Sequence, residues 1–186
     1  MSSLLARSFA AFLALSLTAC VSFSNGVVDK PMANDERLIG YWEIIGEKPN
    51  GAMTISADSP TSLSITLYGY EEAGCRKDTP FTAVRTQIGD RDFLDLGKVI
   101  PIGYEFRAPD HLAIFTPDDD SFAQAIEAKE LAGKITKPEQ NEQQPFIRVD
   151  ASTADLRQWT AAHPAAMHDK PIEFVRRDPA SAPHCG

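Results

Sequence analysis

The chain has 186 residues, 43% hydrophobic and 24% charged, with 11 Gly and 13 Pro. That composition excludes a disordered chain, a collagen-like repeat and a disulfide-packed miniprotein, and it allows one globular domain with a sizeable core. Lys plus Arg is 18 against 26 for Asp plus Glu, a formal net charge of -8. So acidic a chain is repelled by nucleic-acid phosphate and by anionic headgroups, which excludes both as partners through charge alone.

Met1 to Arg7 form a short basic start, and Ser8 to Leu17 form an apolar run. The run suits a signal h-region and is well short of the roughly 20 residues that a spanning helix needs. Leu17-Thr18-Ala19-Cys20 follows and resembles a bacterial lipobox. The resemblance implies cleavage before Cys20, a diacylglycerol on its thiol and an acyl chain on its freed amine. Val21 follows, where the inner-membrane retention signal of such proteins is usually Asp. The implied address is the bacterial cell envelope, at the outer membrane facing the periplasm. Residues 1–19 are then a signal peptide. Residues 20–36 show no sustained periodicity and carry Gly26 and Pro31, so they are expected to be the lipidated N-terminus and a flexible stalk.

Residues 37–177 are expected to be one β-rich domain, with 178–186 as a tail. Leu38 to Glu47 is an apolar and aromatic run, and Pro49-Asn50-Gly51 is a turn signal that closes a hairpin onto Ala52 to Ser56. Leu63, Ile65 and Leu67 alternate with Ser64, Thr66 and Tyr68, the period-2 pattern of a strand with one buried face. Phe81 to Ile88, Phe93 to Leu96, Ile102 to Phe106 and Leu112 to Thr116 continue the rhythm, separated by turn residues. Asp118 to Leu131 breaks it: acids at the start and Gly133 beyond the end predict a helix with Gly133 at its C-cap. Residues 134–145 are polar and predict a surface loop, and Phe146 to Val149 a brief strand. Ser152 with Asp155 resembles a capping box, opening a helix that carries Leu156, Trp159 and His163 and stops at Pro164. Ile172 to Arg177 is the last strand. The fold class is therefore mainly β (α+β), an antiparallel meander or lipocalin-like barrel with two short helices inserted before the last strand.

Gly40-Tyr41-Trp42 in the first strand, with Arg176 and Arg177 in the last, is similar to the lipocalin pattern. The resemblance implies that Trp42 seals the barrel floor beneath one of these arginines, Gly40 allowing the close approach. The layout also resembles a group of small bacterial lipoproteins that share an LxGxW segment, the helix at 118–131 and a closing PIEFVRR strand. No TDxxY motif is present, and the helices precede the last strand instead of following it.

Chemistry is sparse. The sequence holds no GxSxG, GxGxxG, P-loop, HExxH or CxxC motif. His111, His163, His168 and His184 stand apart, and the five-residue step between His163 and His168 is not the i, i+4 spacing of paired ligands. Asp118, Asp119 and Asp120 lack the DxDxDG spacing of a calcium loop and suit a helix start. No catalytic residue, metal site or cofactor is nominated. Cys75 and Cys185 remain once Cys20 is lipidated, and two thiols in an oxidising compartment usually pair; their bond would tie the tail to the loop between the third and fourth strands, the alternative being two unpaired surface thiols. The functional expectation is a non-catalytic envelope lipoprotein, partnered by the membrane through Cys20 and by an envelope protein or a small apolar ligand. The alternative is an envelope hydrolase using scattered Asp, Glu and His.

Overall fold

The computed structural model describes residues 21–46, 51–71, 74–97, 100–136, 145–167 and 170–181. In chain order their strands are β1 (Val21–Phe23), β2 (Gly40–Ile44), β3 (Gly51–Ser59), β4 (Ser62–Glu71), β5 (Gly74–Lys77), β6 (Phe81–Ile88), β7 (Arg91–Asp95), β8 (Pro101–Ala108) and β9 (His111–Phe115). Helix α1 (Asp119–Glu127), β10 (Gly133–Thr136), β11 (Phe146–Val149), helix α2 (Thr153–Ala162) and β12 (Ile172–Arg177) complete them.

Alternation along eight of these strands closes a ring. The order is β2, β3, β4, β6, β7, β8, β9, β12 and back to β2, each neighbour antiparallel. The protein is thus mainly β, with a lipocalin-like antiparallel barrel and two short helices ahead of the closing strand. Strand β4 is shared: Leu63–Ile65 pair with β6, while Tyr68–Glu71 pair with the short β5. Trp42, Met53, Ile55, Leu63, Ile65, Leu94, Ile102 and Leu112 are buried. Glu43, Thr54, Ser64, Thr66, Thr82, Glu105 and Glu173 take the alternate, outward positions. A barrel apolar inside and polar outside is the reverse of a membrane-spanning one, whose outer band is apolar. Among the described residues no helix is long and apolar enough to cross a membrane.

A second layer packs outside the barrel. Strands β1, β11 and β10 form a three-stranded sheet, with β1 parallel and β10 antiparallel to β11. Helix α1 lies on β10 and β11, and α2 lies against β6. Phe23 meets Phe122 edge-on at 5.4 Å, Phe122 meets Trp159 at 4.9 Å, and Trp159 stacks on His163 at 4.5 Å. The Ser152 hydroxyl caps α2 by accepting from the Asp155 N–H at 3.2 Å, and Asp118 caps α1 by accepting from the Ser121 N–H at 3.0 Å.

Three expectations need correction. The stretch 21–36 is not a free stalk. Val21, Phe23 and Val27 are buried, β1 is paired, and the Asn34 amide donates to the Ser59 and Ser62 carbonyls at 2.6 and 3.1 Å. Its apolar residues are too few to show a period, yet each finds a groove. The polar stretch 134–145 begins inside a strand, since β10 turns Ile135 inward and leaves Lys134 and Thr136 exposed. Gly133 is not the cap of α1: Lys129, at φ 61°, makes the left-handed turn, and the Leu131 N–H returns to the Ala125 carbonyl at 3.2 Å. Gly133 serves packing instead, because a Cβ there would lie 2.5 Å from the Arg148 carbonyl oxygen and 2.6 Å from Ile126. Residues 1–19, Cys20, Pro49, Asn50, His168 and 182–186, His184 and Cys185 included, lie outside the described residues, and with them the expectations placed there.

Candidate functional site

One end of the barrel is sealed by alternating aromatic and guanidinium layers. Trp42 is fully buried and donates its indole N–H to the Leu38 carbonyl at 2.8 Å. Arg176, its register partner on β12, sits over the indole with the guanidinium carbon 4.5 Å from the ring centre. The same guanidinium donates to the Ile39 carbonyl at 2.9 Å and to the Arg37 carbonyl. Gly40 has φ +151°, and a Cβ there would lie 3.3 Å from Arg176 Nη1. Phe106 lies 6.0 Å from Trp42, and Arg37 covers Phe106 at 4.5 Å. Gly40, Trp42 and Arg176 are thus brought together. Arg177 is not with them: it is exposed on the outer face, 3.3 Å from Glu43.

Charged groups around this floor satisfy one another. Asp35 caps the turn Glu36–Leu38 and takes two bonds from Arg37, at 2.9 and 2.7 Å. Burial acts to raise the Asp35 pKa, but the bonds and charge of Arg37 prevail and hold it below the ordinary value. Arg85 donates to the Tyr104 hydroxyl at 2.9 Å and to Asp92 at 2.8 Å. Burial raises the Tyr104 pKa, so the phenol stays neutral. Alternation with Ile102 marks Tyr104 and Phe106 as inward residues. Arg37, Arg85, Asp35 and Asp92 carry no such sequence signal, because their placement depends on barrel register.

Beyond the floor the barrel interior is not filled. A cavity of about 80 Å³ is lined by Ile44, Met53, Ile55, Ile65, Leu67, Phe81, Leu94, Leu96, Ile102, Ile114, Ile172 and Phe174. Its lining is apolar. On β2 the floor residue Trp42 lies two positions below Ile44, and on β12 Arg176 lies two positions below Phe174. Ile45, 47% exposed, stands beside Ile44 at the cavity end of β2.

A buried carboxylate fixes the N-terminal segment on the barrel wall. Asp95 is 4% exposed and accepts from the Val27 N–H at 2.5 Å and the Val28 N–H at 3.2 Å. Desolvation raises its pKa, against the lowering effect of the Val27, Val28 and Gly97 N–H groups. From α2, Arg157 donates to the Val27 carbonyl at 2.8 Å, the Thr86 hydroxyl at 3.0 Å and the Gln87 carbonyl at 2.7 Å. Sequence reasoning passed over Asp95, since an acid at a strand end resembles any turn residue.

Cys75 on β5 is disulfide-bonded. His111 lies on β9, and His163 closes α2 with Nε2 3.9 Å from Glu130. Among the described residues no group of three or more His, Cys, Asp or Glu side chains is placed to hold a metal ion. Comparison with protein-family models, curated proteins and solved structures finds no match.

Proposed function

We propose that this chain is a lipid-anchored envelope lipoprotein, non-catalytic, whose barrel takes the apolar end of a small ligand such as a short acyl chain. The observation behind this reading is the apolar cavity above the sealed floor. One water needs roughly 10–15 Å³ of such space, so the cavity admits about five methylene-sized groups in single file. Each buried methylene contributes about 0.8 kcal/mol, which places affinity for such a chain near the millimolar range. Met53 in the lining is flexible and widens the range of shapes accepted. The lipobox resemblance at Leu17–Cys20 supplies the anchor, and Val21 after it the outer-membrane address. With the Cys20 thiol acylated, Cys185 becomes the partner of Cys75.

The test is a methyl-detected NMR titration with hexanoate. Saturable shifts at Met53, Ile65 and Ile102, lost when Ile65→Trp fills the cavity, support the reading. Absence of shifts in the parent protein at tens of millimolar hexanoate removes it.

A further inference from the structure

We infer that the outer face of the three-stranded sheet, at the Phe146 end, rests on the surface of the membrane that holds the anchor. The inference depends on the lipoprotein reading. It begins from the missing stalk. Val21, the residue after the lipobox cysteine, is already 1% exposed and paired with Ile147. A residue spans at most about 3.6 Å, so acyl chains on the preceding residue leave this end of the sheet no slack to stand off from the bilayer.

The side chains at that end match the demand. Strands β1 and β11 run parallel, so they start at the same end, and the residue before Ile147 is Phe146. Phe146 is 46% exposed, one of two large hydrophobic side chains so exposed among the described residues; the other is Ile45 at the barrel mouth. Ile147 and Val149 point inward, leaving Phe146 and Arg148 on the outer face, with Thr136 and Lys134 opposite them on β10. Aromatic rings favour the headgroup level and cations favour an anionic leaflet. Arg148 shares its charge with Asp150 at 2.9 Å, so Lys134 and the ring of Phe146 are the principal contacts.

The test uses the full lipidated chain in vesicles of phosphatidylglycerol and dibrominated phosphatidylcholine, bromine quenching any tryptophan at the membrane. Phe146→Trp and Ile45→Trp are compared, each against the parent emission of the buried Trp42 and Trp159. Added emission at 146 quenched at least threefold more than that at 45 is the expected result. Chain that floats with the vesicles but shows no quenching at 146 overturns the inference and leaves the lipoprotein reading intact. Quenching at 45 alone, or at both positions equally, overturns it too, since the barrel mouth then faces the bilayer. Chain that does not float removes the lipoprotein reading and the inference with it.

Discussion

Arg176 holds its guanidinium carbon 4.5 Å from the ring centre of Trp42, across the seam where the last strand meets the first strand of the ring. The contact therefore closes the barrel as well as its floor. Trp42→Ala is expected to cost about 3–5 kcal/mol for the buried ring. Arg176→Ala is expected to cost about 2–3 kcal/mol, from the cation–π contact and the two carbonyl bonds. Arg176→Lys keeps the charge but not the planar fork that reaches both carbonyls, so it recovers only part of that loss. Arg177→Ala, on the exposed pair with Glu43, should stay within about 1 kcal/mol. In urea unfolding the Trp42 and Arg176 losses should be non-additive, because the side chains touch. Strict additivity would show that the contact carries no energy.

Gly40→Ala probes the same floor from the backbone. At φ +151° an L side chain is strained, and its Cβ would press on Arg176 Nη1 at 3.3 Å. A loss of about 1–3 kcal/mol is expected in the parent protein. In an Arg176→Ala background the steric part should disappear and the strain should persist. Equal losses in both backgrounds would place the whole effect in the backbone.

How much of this was legible depends on periodicity. Leu63, Ile65 and Leu67 alternate over a full strand, so their inward face could be read directly. Val21, Phe23 and Val27 are equally buried, but they sit among Ser, Asn and Gly, and three apolar residues over seven positions define no face. Only the groove beside α1 and β11 makes that segment a strand. Gly133 was visible as a glycine and misassigned, because helix capping is a local rule and the crowding that requires it comes from Arg148, fifteen positions away. Trp42 and Arg176 could be paired through a family resemblance. Asp95, Arg157 and Arg37 could not, since their partners are backbone groups of distant segments.

The cysteines make a separable prediction. Cys75 is disulfide-bonded, and under the proposed acylation of Cys20 its partner is Cys185. Cys185→Ser should then expose one alkylatable thiol per denatured chain, and Cys20→Ser none. One thiol in the parent, none in Cys185→Ser and two in Cys20→Ser would show instead that Cys20 is the partner and carries no thioether lipid. Closing so long a loop is worth at most about 4–5 kcal/mol in the chain-entropy model, and attachment near the chain end makes the observed loss on reduction smaller.

Gly26 and Asp95 fix the N-terminal segment, and Gly26→Ala tests the fit. Its Cβ would lie 2.4 Å from Asp95 Oδ2, closer than any carbon–oxygen contact tolerates, and the carboxylate is held by the Val27 N–H. The segment should detach before the barrel unfolds, as most of the ring's strands are built without it. Limited proteolysis is expected to cut near residues 24–34 at least tenfold faster than in the parent, with barrel amides still protected from hydrogen exchange. Unchanged cleavage would show that the segment yields around the methyl group.

Asp95 also sets a pH dependence whose sign can be worked out. Burial raises its pKa in the folded protein above the ordinary value near 4 of the unfolded chain. Below that ordinary value both states are protonated and the contribution of Asp95 is fully present. As pH rises from about 4 through the folded-state pKa, the unfolded chain ionises freely while the fold resists, so stability falls. Above the folded pKa the contribution is flat. Asp35 acts in the opposite sense: its lowered pKa supports the fold above about pH 4 and is lost on further acidification. Asp95→Asn removes the charge and keeps an oxygen for the Val27 N–H. Urea unfolding between pH 4 and pH 7 should therefore show a decline attributable to Asp95 in the parent that is absent from Asp95→Asn. The acid-side loss below pH 4 should remain in both. Parallel stability profiles across the upper range would mean that the Val27, Val28 and Gly97 N–H groups offset the desolvation of the carboxylate in full.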